Sequence, residues 1–170
     1  MWLTLKRLSL GIFLILLTSS ALLVSDWNRR KSKSKRVLNV AVLQHASQSL
    51  LDDAVKGMID GLSEKGYTDG KTISLKKFNA ENDLATDNTI AKELTDGQYD
   101  LVLTASTLST QAVANANKTG KTIHVFGAVA DPFISGLGIS RENPLDHPKH
   151  LVGIGTFMPV AASLDRKSVV

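Results

Sequence analysis

Hydroxyl side chains concentrate in one stretch of this 170-residue chain, Thr104-Ala105-Ser106-Thr107-Leu108-Ser109-Thr110, where an apolar strand-like run opens into a helical pattern. The first amides of a helix have no internal acceptor and carry a partial positive charge, which suits a carboxylate or a phosphate. Ser or Thr there can equally cap the helix with no ligand present. One cap needs one hydroxyl, however, and this turn offers several. Two other connections carry groups that could hold a small molecule. Gln44-His45-Ala46-Ser47 can supply hydrogen bonds or a stacking face. Asp131-Pro132 offers a carboxylate for an ammonium or hydroxyl, and is also an ordinary turn starter.

Other chemistries find little support. His45 could act as a general base, but no Ser, Asp or metal-ligand partner sits at a diagnostic spacing. The histidines at 45, 124, 147 and 150 form no H-E-x-x-H or similar motif and read as scattered surface residues. There is no G-x-x-x-x-G-K-[ST] and no G-x-G-x-x-G after the first strand, and Gly136-Leu137-Gly138 is too short and misplaced for a phosphate loop. The third strand ends in Thr-Ala-Ser where a response regulator needs an acceptor Asp. Asp52-Asp53 reads as helix N-terminal charge, not as an acidic metal pocket. The absence of cysteine removes disulfides, thiolate nucleophiles, Cys-ligated zinc, iron–sulfur clusters and a lipidated cysteine. The expectation is a protein that is not an enzyme, with no catalytic residue, no metal and no cofactor.

The elements that must position these residues alternate. Val37-Leu38-Asn39-Val40-Ala41-Val42-Leu43 has the Val-rich character of a strand buried on both faces. Leu51, Val55, Met58, Ile59 and Leu62 recur at helical spacing, with Gly66 as a C-cap signal. Residues 73–78 alternate like a strand with one polar face, as near a sheet edge. A helix over 84–95 has Ile90, Ala91 and Leu94 on its inner stripe, and a third strand covers 100–104. Then come a helix over 107–118 and strands at 123–128 and 151–154. This order predicts a three-layer α/β fold, a parallel sheet with right-handed crossovers and helices on both faces. Ligands bind outside the carboxyl ends of such strands, where the three connections named above fall.

Charge divides the chain in two. Residues 1–36 carry eight Lys/Arg and one acid, a net of +7, whereas residues 37–170 are at −3. The folded part therefore lacks the basic face of a nucleic-acid binder. Lys6 and Arg7 precede an apolar run over 8–24, the layout of a signal peptide with a cleavage option after Ala21, or of an uncleaved signal anchor giving a membrane attachment. The stretch Arg29-Arg30-Lys31-Ser32-Lys33-Ser34-Lys35-Arg36 reads as a solvated tether. It also biases orientation towards a cytoplasmic C-terminal side and could meet anionic lipid headgroups. The expected divisions are 1–25 as signal peptide or anchor, 26–36 as tether, and 37–158 as the lobe. Over 159–170, Pro159 and Val160 begin a crossover that stops at Val170, the pattern of a truncated chain.

Several segments, taken as a series, resemble the substrate-binding proteins of ABC transporters, in the family with tryptophan- and tyrosine-binding members. They are Val40-Ala41-Val42-Leu43-Gln44-His45 leading to Leu51-Asp52-Asp53-Ala54-Val55-Lys56-Gly57, Gly61-Leu62-Ser63-Glu64-Lys65-Gly66-Tyr67, and Asn79-Ala80-Glu81-Asn82-Asp83. Further on come Asp100-Leu101-Val102-Leu103-Thr104-Ala105-Ser106-Thr107 with Gln111-Ala112, then Val129-Ala130-Asp131-Pro132 and Leu151-Val152-Gly153-Ile154. The resemblance implies the N-terminal lobe of a two-lobed, type I periplasmic binding fold. It also implies an ABC permease as partner and capture of a small ligand, such as an aromatic amino acid, by hinge closure. Carried over, the Ser106–Thr107 turn would hold the ligand carboxylate, Asp131 would help hold its amino group, and Gln44 and His45 would line the cleft. Ser47 and Ala105, in the same connections, complete the expected ligand-binding set. An alternative is the extracytoplasmic sensing domain of a membrane-tethered signalling protein, and a third class, a flavodoxin-like enzyme, would need a cofactor site that is not seen.

Overall fold

The computed structural model describes residues 17–21 and 36–156. The chain divides into two compact units, residues 1–36 and 37–170. In the first unit residues 17–21 are helical. The remainder of the apolar run, the basic stretch up to residue 35 and the helix expected from Pro159 lie outside the described residues. Among the described residues, no helix is long and apolar enough to cross a membrane.

The second unit runs β1 (Leu38–Gln44), α1 (Ser49–Glu64), β2 (Ile73–Asn79), α2 (Leu84–Leu94), β3 (Leu101–Ala105), α3 (Thr107–Ala116), β4 (Ile123–Val129) and β5 (Leu151–Gly155). The strands form one sheet in the order β2-β1-β3-β4-β5. Every pairing is parallel. The expected fold class is the observed one, and β2, the strand with exposed Lys76 and Lys77, lies at an edge.

Alternation along the central strands sends side chains into two layers. Val40 and Val42 of β1 join Leu103 of β3 under Val55, Met58, Ile59 and Leu62 of α1. Ala41, Leu43 and Val102 face the other way, against Ala91 and Leu94 of α2 and Val113 of α3. A third cluster, Phe126, Val129, Leu137 and Leu151, closes the β4–β5 side. Burying apolar area on both faces, at about 25 cal/mol per Å², is the main force holding the three layers together.

Local signals set the ends of the helices. Gly66, with φ +86°, stops α1 in the left-handed conformation that suits glycine, and its amide bonds the Ser63 carbonyl at 2.9 Å. Asp83 starts α2: its Oδ2 accepts from the Thr86 amide at 2.8 Å and the Thr86 hydroxyl at 2.6 Å. Donation from the Thr86 hydroxyl, with help from its amide, holds the Asp83 carboxyl below the usual carboxylate range. Because all strands are parallel, every strand-to-helix connection emerges at the same carboxyl edge of the sheet.

Candidate functional site at the carboxyl edge of the sheet

Four non-glycine residues among those described have positive φ: Glu81 (52°), Asn82 (64°), Ser106 (122°) and Ala128 (55°). All four lie at or just beyond the carboxyl ends of β2, β3 and β4. Strained backbone persists only where the surroundings over-determine it, and it gathers at functional sites. The β2–α2 connection, which strand-end reasoning did not single out, thus belongs to the edge. It is tied to the end of β1 by Ala80 N–H to Gln44 O at 3.0 Å and Asn82 N–H to His45 O at 2.8 Å.

Ser106 is the most unusual of the four. With φ 122° and ψ 158° it occupies a region otherwise left to glycine, while its Oγ accepts from the Ser109 amide at 3.1 Å and caps α3. The Thr110 amide bonds the Ser106 carbonyl at 3.2 Å. That leaves the amides of Thr107 and Leu108 without an acceptor among the described residues, at the positive end of the α3 dipole. These two amides are hydrogen-bond donors of the kind that a small anion accepts from.

The hydroxyl count of this turn overstates what a ligand can reach. Thr104, Ser109 and Thr110 are fully buried and bonded internally. Ser106 serves as the cap. Only Thr107 remains at the surface, its Oγ1 accepting from the Ala130 amide at 3.4 Å and bringing the β3 and β4 ends together. Ala105 is wholly buried with Val42, Val55 and Leu103, so only its backbone can take part.

The other residues singled out in the sequence all reach this edge. Gln44 Nε2 donates to Asp52 Oδ1 at 2.9 Å and to the Ala46 carbonyl at 3.2 Å. This turns Gln44 towards a groove of about 430 Å³ between α1 and β2, whose lining includes Asp52, Lys56, Asp60 and Lys77. Ser47 Oγ accepts from Asn79 Nδ2 at 2.8 Å. Asp131 is already engaged: Oδ1 accepts the Phe133 amide at 2.9 Å, and Oδ2 meets an Arg141 guanidinium nitrogen at 2.6 Å. Arg141 also lies over the Phe133 ring, 5.3 Å from its centroid.

Two of the four histidines are not surface residues. His45 is nearly buried, and its Nδ1–H donates to Asp87 Oδ2 at 2.6 Å. The other carboxylate oxygen of Asp87 accepts from Ser109 Oγ at 2.8 Å. Asp87 is fully buried, one turn from Ala91 and two from Leu94 on the inner stripe of α2, and that position in an apolar stripe was its signal. His124 is fully buried on β4, with Nε2 2.9 Å from Thr104 Oγ1 and Nδ1 unpartnered. Burial, and secondarily the neighbouring His150, push its pKa down to about 3. The expectation of scattered surface histidines fails at these two positions because each has a tertiary partner. Among the described residues, no group of three or more His, Cys, Asp or Glu is arranged to hold a metal ion.

Comparison with known proteins bears on the family and the fold. The family described as ABC transporter substrate binding protein matches residues 39–155. A tyrosine-binding protein of Clostridioides difficile (strain R20291) is 39% identical over 115 residues, 68% of this chain and 33% of the relative. Among solved structures, the ligand-free, open form of a substrate-binding protein with adhesive properties from Clostridium difficile superposes with a TM-score of 0.69 at 28% identity. That match covers 78% of this chain and 43% of the other. An ABC domain from Streptococcus pneumoniae in complex with L-Trp gives 0.66 at 28% identity, covering 75% and 41%. The chain thus spans a third to under a half of the length of these relatives. The lobe has the type I periplasmic binding fold and corresponds to the N-terminal lobe of its relatives. The chain belongs to the ABC transporter substrate-binding protein family.

Proposed function

We propose that this lobe is one jaw of the extracytoplasmic solute-binding component of an ABC importer, and that it takes an amino-acid-like ligand at the carboxyl edge of its sheet. The observation that carries the proposal is the strained cap at Ser106, which leaves the Thr107 and Leu108 amides open at the start of α3. An α-carboxylate fits two such donors. The amino-acid names attached to the relatives, tyrosine and L-Trp, favour the same ligand class.

In this reading the Ala105-Ser106-Thr107 turn receives the carboxylate through its backbone. Gln44, His45 and Ser47 form the opposite rim. His45 Nε2 has no partner among the described residues and is not among the buried unpartnered atoms, which leaves it available to a ligand. An ammonium approaching Asp131 would exchange with the guanidinium of Arg141, whose side chain is 63% exposed. Capture would be completed by hinge closure against a second lobe, with delivery to a permease and the apolar segment near the N-terminus serving export or anchoring.

Side-by-side calorimetry with L-tyrosine and L-tryptophan, on this chain and on the longer tyrosine-binding relative, tests the mechanism. These 170 residues, which match only a third of the relative's length, should bind the same ligands at least about tenfold more weakly, because they make only part of the contacts. Equal affinity in the two proteins would contradict closure.

A further inference from the structure

The unpartnered Nδ1 of His124 points to a directed hydrogen-bond chain that ends at the ligand turn. Thr110 Oγ–H donates to the Ser106 carbonyl at 2.6 Å. A hydroxyl has one hydrogen, so the 2.9 Å contact between Thr110 and Thr104 must be donated by Thr104. That commits the hydrogen of Thr104, and the 2.9 Å contact with His124 must then be donated by ring Nε2–H. Burial keeps the ring neutral, so its one proton sits on Nε2 and Nδ1, the ring nitrogen found buried without a partner, carries a bare lone pair. Thr104, Thr110 and His124 are all fully buried, so no solvent competes with any link.

The chain acts on a functional group. The carbonyl of Ser106 and the amide of Thr107 belong to one planar peptide and point in opposite directions. Fixing the carbonyl inward, towards Thr110, therefore fixes the Thr107 N–H outward. The Thr110 amide, 3.2 Å from the same carbonyl, gives the helix's own hold on it, and the buried hydroxyl adds a second, shorter one at 2.6 Å.

We infer that His124, acting through Thr104 and Thr110, is a positioning residue that holds the Ser106–Thr107 peptide in the anion-receiving orientation. The inference rests on the reading of that turn as the ligand site, but its first test needs no ligand. Long-range ¹H–¹⁵N NMR on the 170-residue chain at neutral pH should find the His124 proton on Nε2. A proton on Nδ1 would overturn the chain. Next, the Ser106 backbone coupling and the Thr107 amide shift would be compared in His124→Leu and His124→Gln, and in Thr104→Val and Thr104→Ser. Glutamine restores a donor near the place of Nε2, and serine keeps the linking hydroxyl. The leucine and valine variants should move both signals and the glutamine and serine variants should return them towards wild type, with the rest of the spectrum preserved. Unchanged signals in Thr104→Val, or no rescue by Thr104→Ser, would refute positioning. A separate titration with L-tryptophan should weaken roughly tenfold in Thr104→Val. If wild type binds nothing at this turn while the tautomer and the rescue hold, the ligand reading fails and the positioning of the peptide stands.

Discussion

His45 and Asp87 are 42 positions apart in sequence and 2.6 Å apart in the fold. Through Ser109, the same carboxylate also reaches the first turn of α3. One buried side chain on α2 thereby locks together the connections that follow β1 and β3, which are neighbours in the sheet.

Removing that carboxylate should be costly. Asp87→Ala leaves the His45 N–H and the Ser109 O–H buried without acceptors, and unmet groups of this kind cost about 1–3 kcal/mol each. Urea denaturation should show a loss of roughly 2–4 kcal/mol for Asp87→Ala and about 1 kcal/mol for Ser109→Ala, with strong non-additivity in the double variant. A change of less than about 0.5 kcal/mol in Asp87→Ala would remove this network from the account.

Acid should weaken the lobe through His124. In the unfolded chain its imidazole takes up a proton near the ordinary value of 6.5, whereas in the fold it does so only at about 3. Between those values the unfolded state binds the extra proton. The stability contribution is therefore full above pH 6.5 and falls by about 1.4 kcal/mol per pH unit below it. Asp83 acts in the same direction, but its lowered value places that effect below its ordinary 3.8. His124→Gln should accordingly flatten the stability profile between pH 6 and 4, measured by denaturant midpoints against pH. An unaltered slope in that variant would contradict a buried neutral ring.

Ser106 combines a favourable cap with an unfavourable backbone. Ser106→Ala loses the bond to the Ser109 amide and keeps the strain, whereas Ser106→Gly loses the bond and relieves the strain. Glycine should therefore be the more stable of the two by about 1 kcal/mol in thermal or urea melts. Alanine equal to or better than glycine would mean that φ 122° carries no strain.

At the β5 edge, Gly153 makes a close approach. A Cβ there would run into the backbone oxygen of Phe126 and come within 2.6 Å of its ring. Gly153→Ala should cost about 1–3 kcal/mol by overpacking and loosen the β4–β5 pairing. Amide exchange of β4 and β5 would report it, and protection equal to wild type would contradict the close fit.

Most of the layering was legible because burial on both faces leaves a direct mark. Val40 to Val42 read as a central strand, and the exposed Lys76 and Lys77 marked β2 as peripheral. The carboxyl edge followed from parallel order alone. Side-chain direction was less plain: Thr107 and Thr110 look equivalent in sequence, yet one faces out and the other in. Helical phase would have separated them, since Ser109 and Thr110 lie one turn before Val113, which is fully buried. The pairing of His45 with Asp87, and the long reach from His124 to Ser106, had no such local mark. They depend on which helix covers which strand, and that is settled only when the layers pack.

The central claim, that the start of α3 receives a ligand carboxylate, is tested most directly by amide-resolved NMR titration of this chain with L-tryptophan and, in parallel, with tryptamine, which lacks the carboxylate. The account predicts saturable shifts at the Thr107 and Leu108 amides, with smaller ones at residues 45–47, for L-tryptophan only. Equal shifts with both compounds, or shifts confined to the groove beside Lys56 and Lys77, would contradict it.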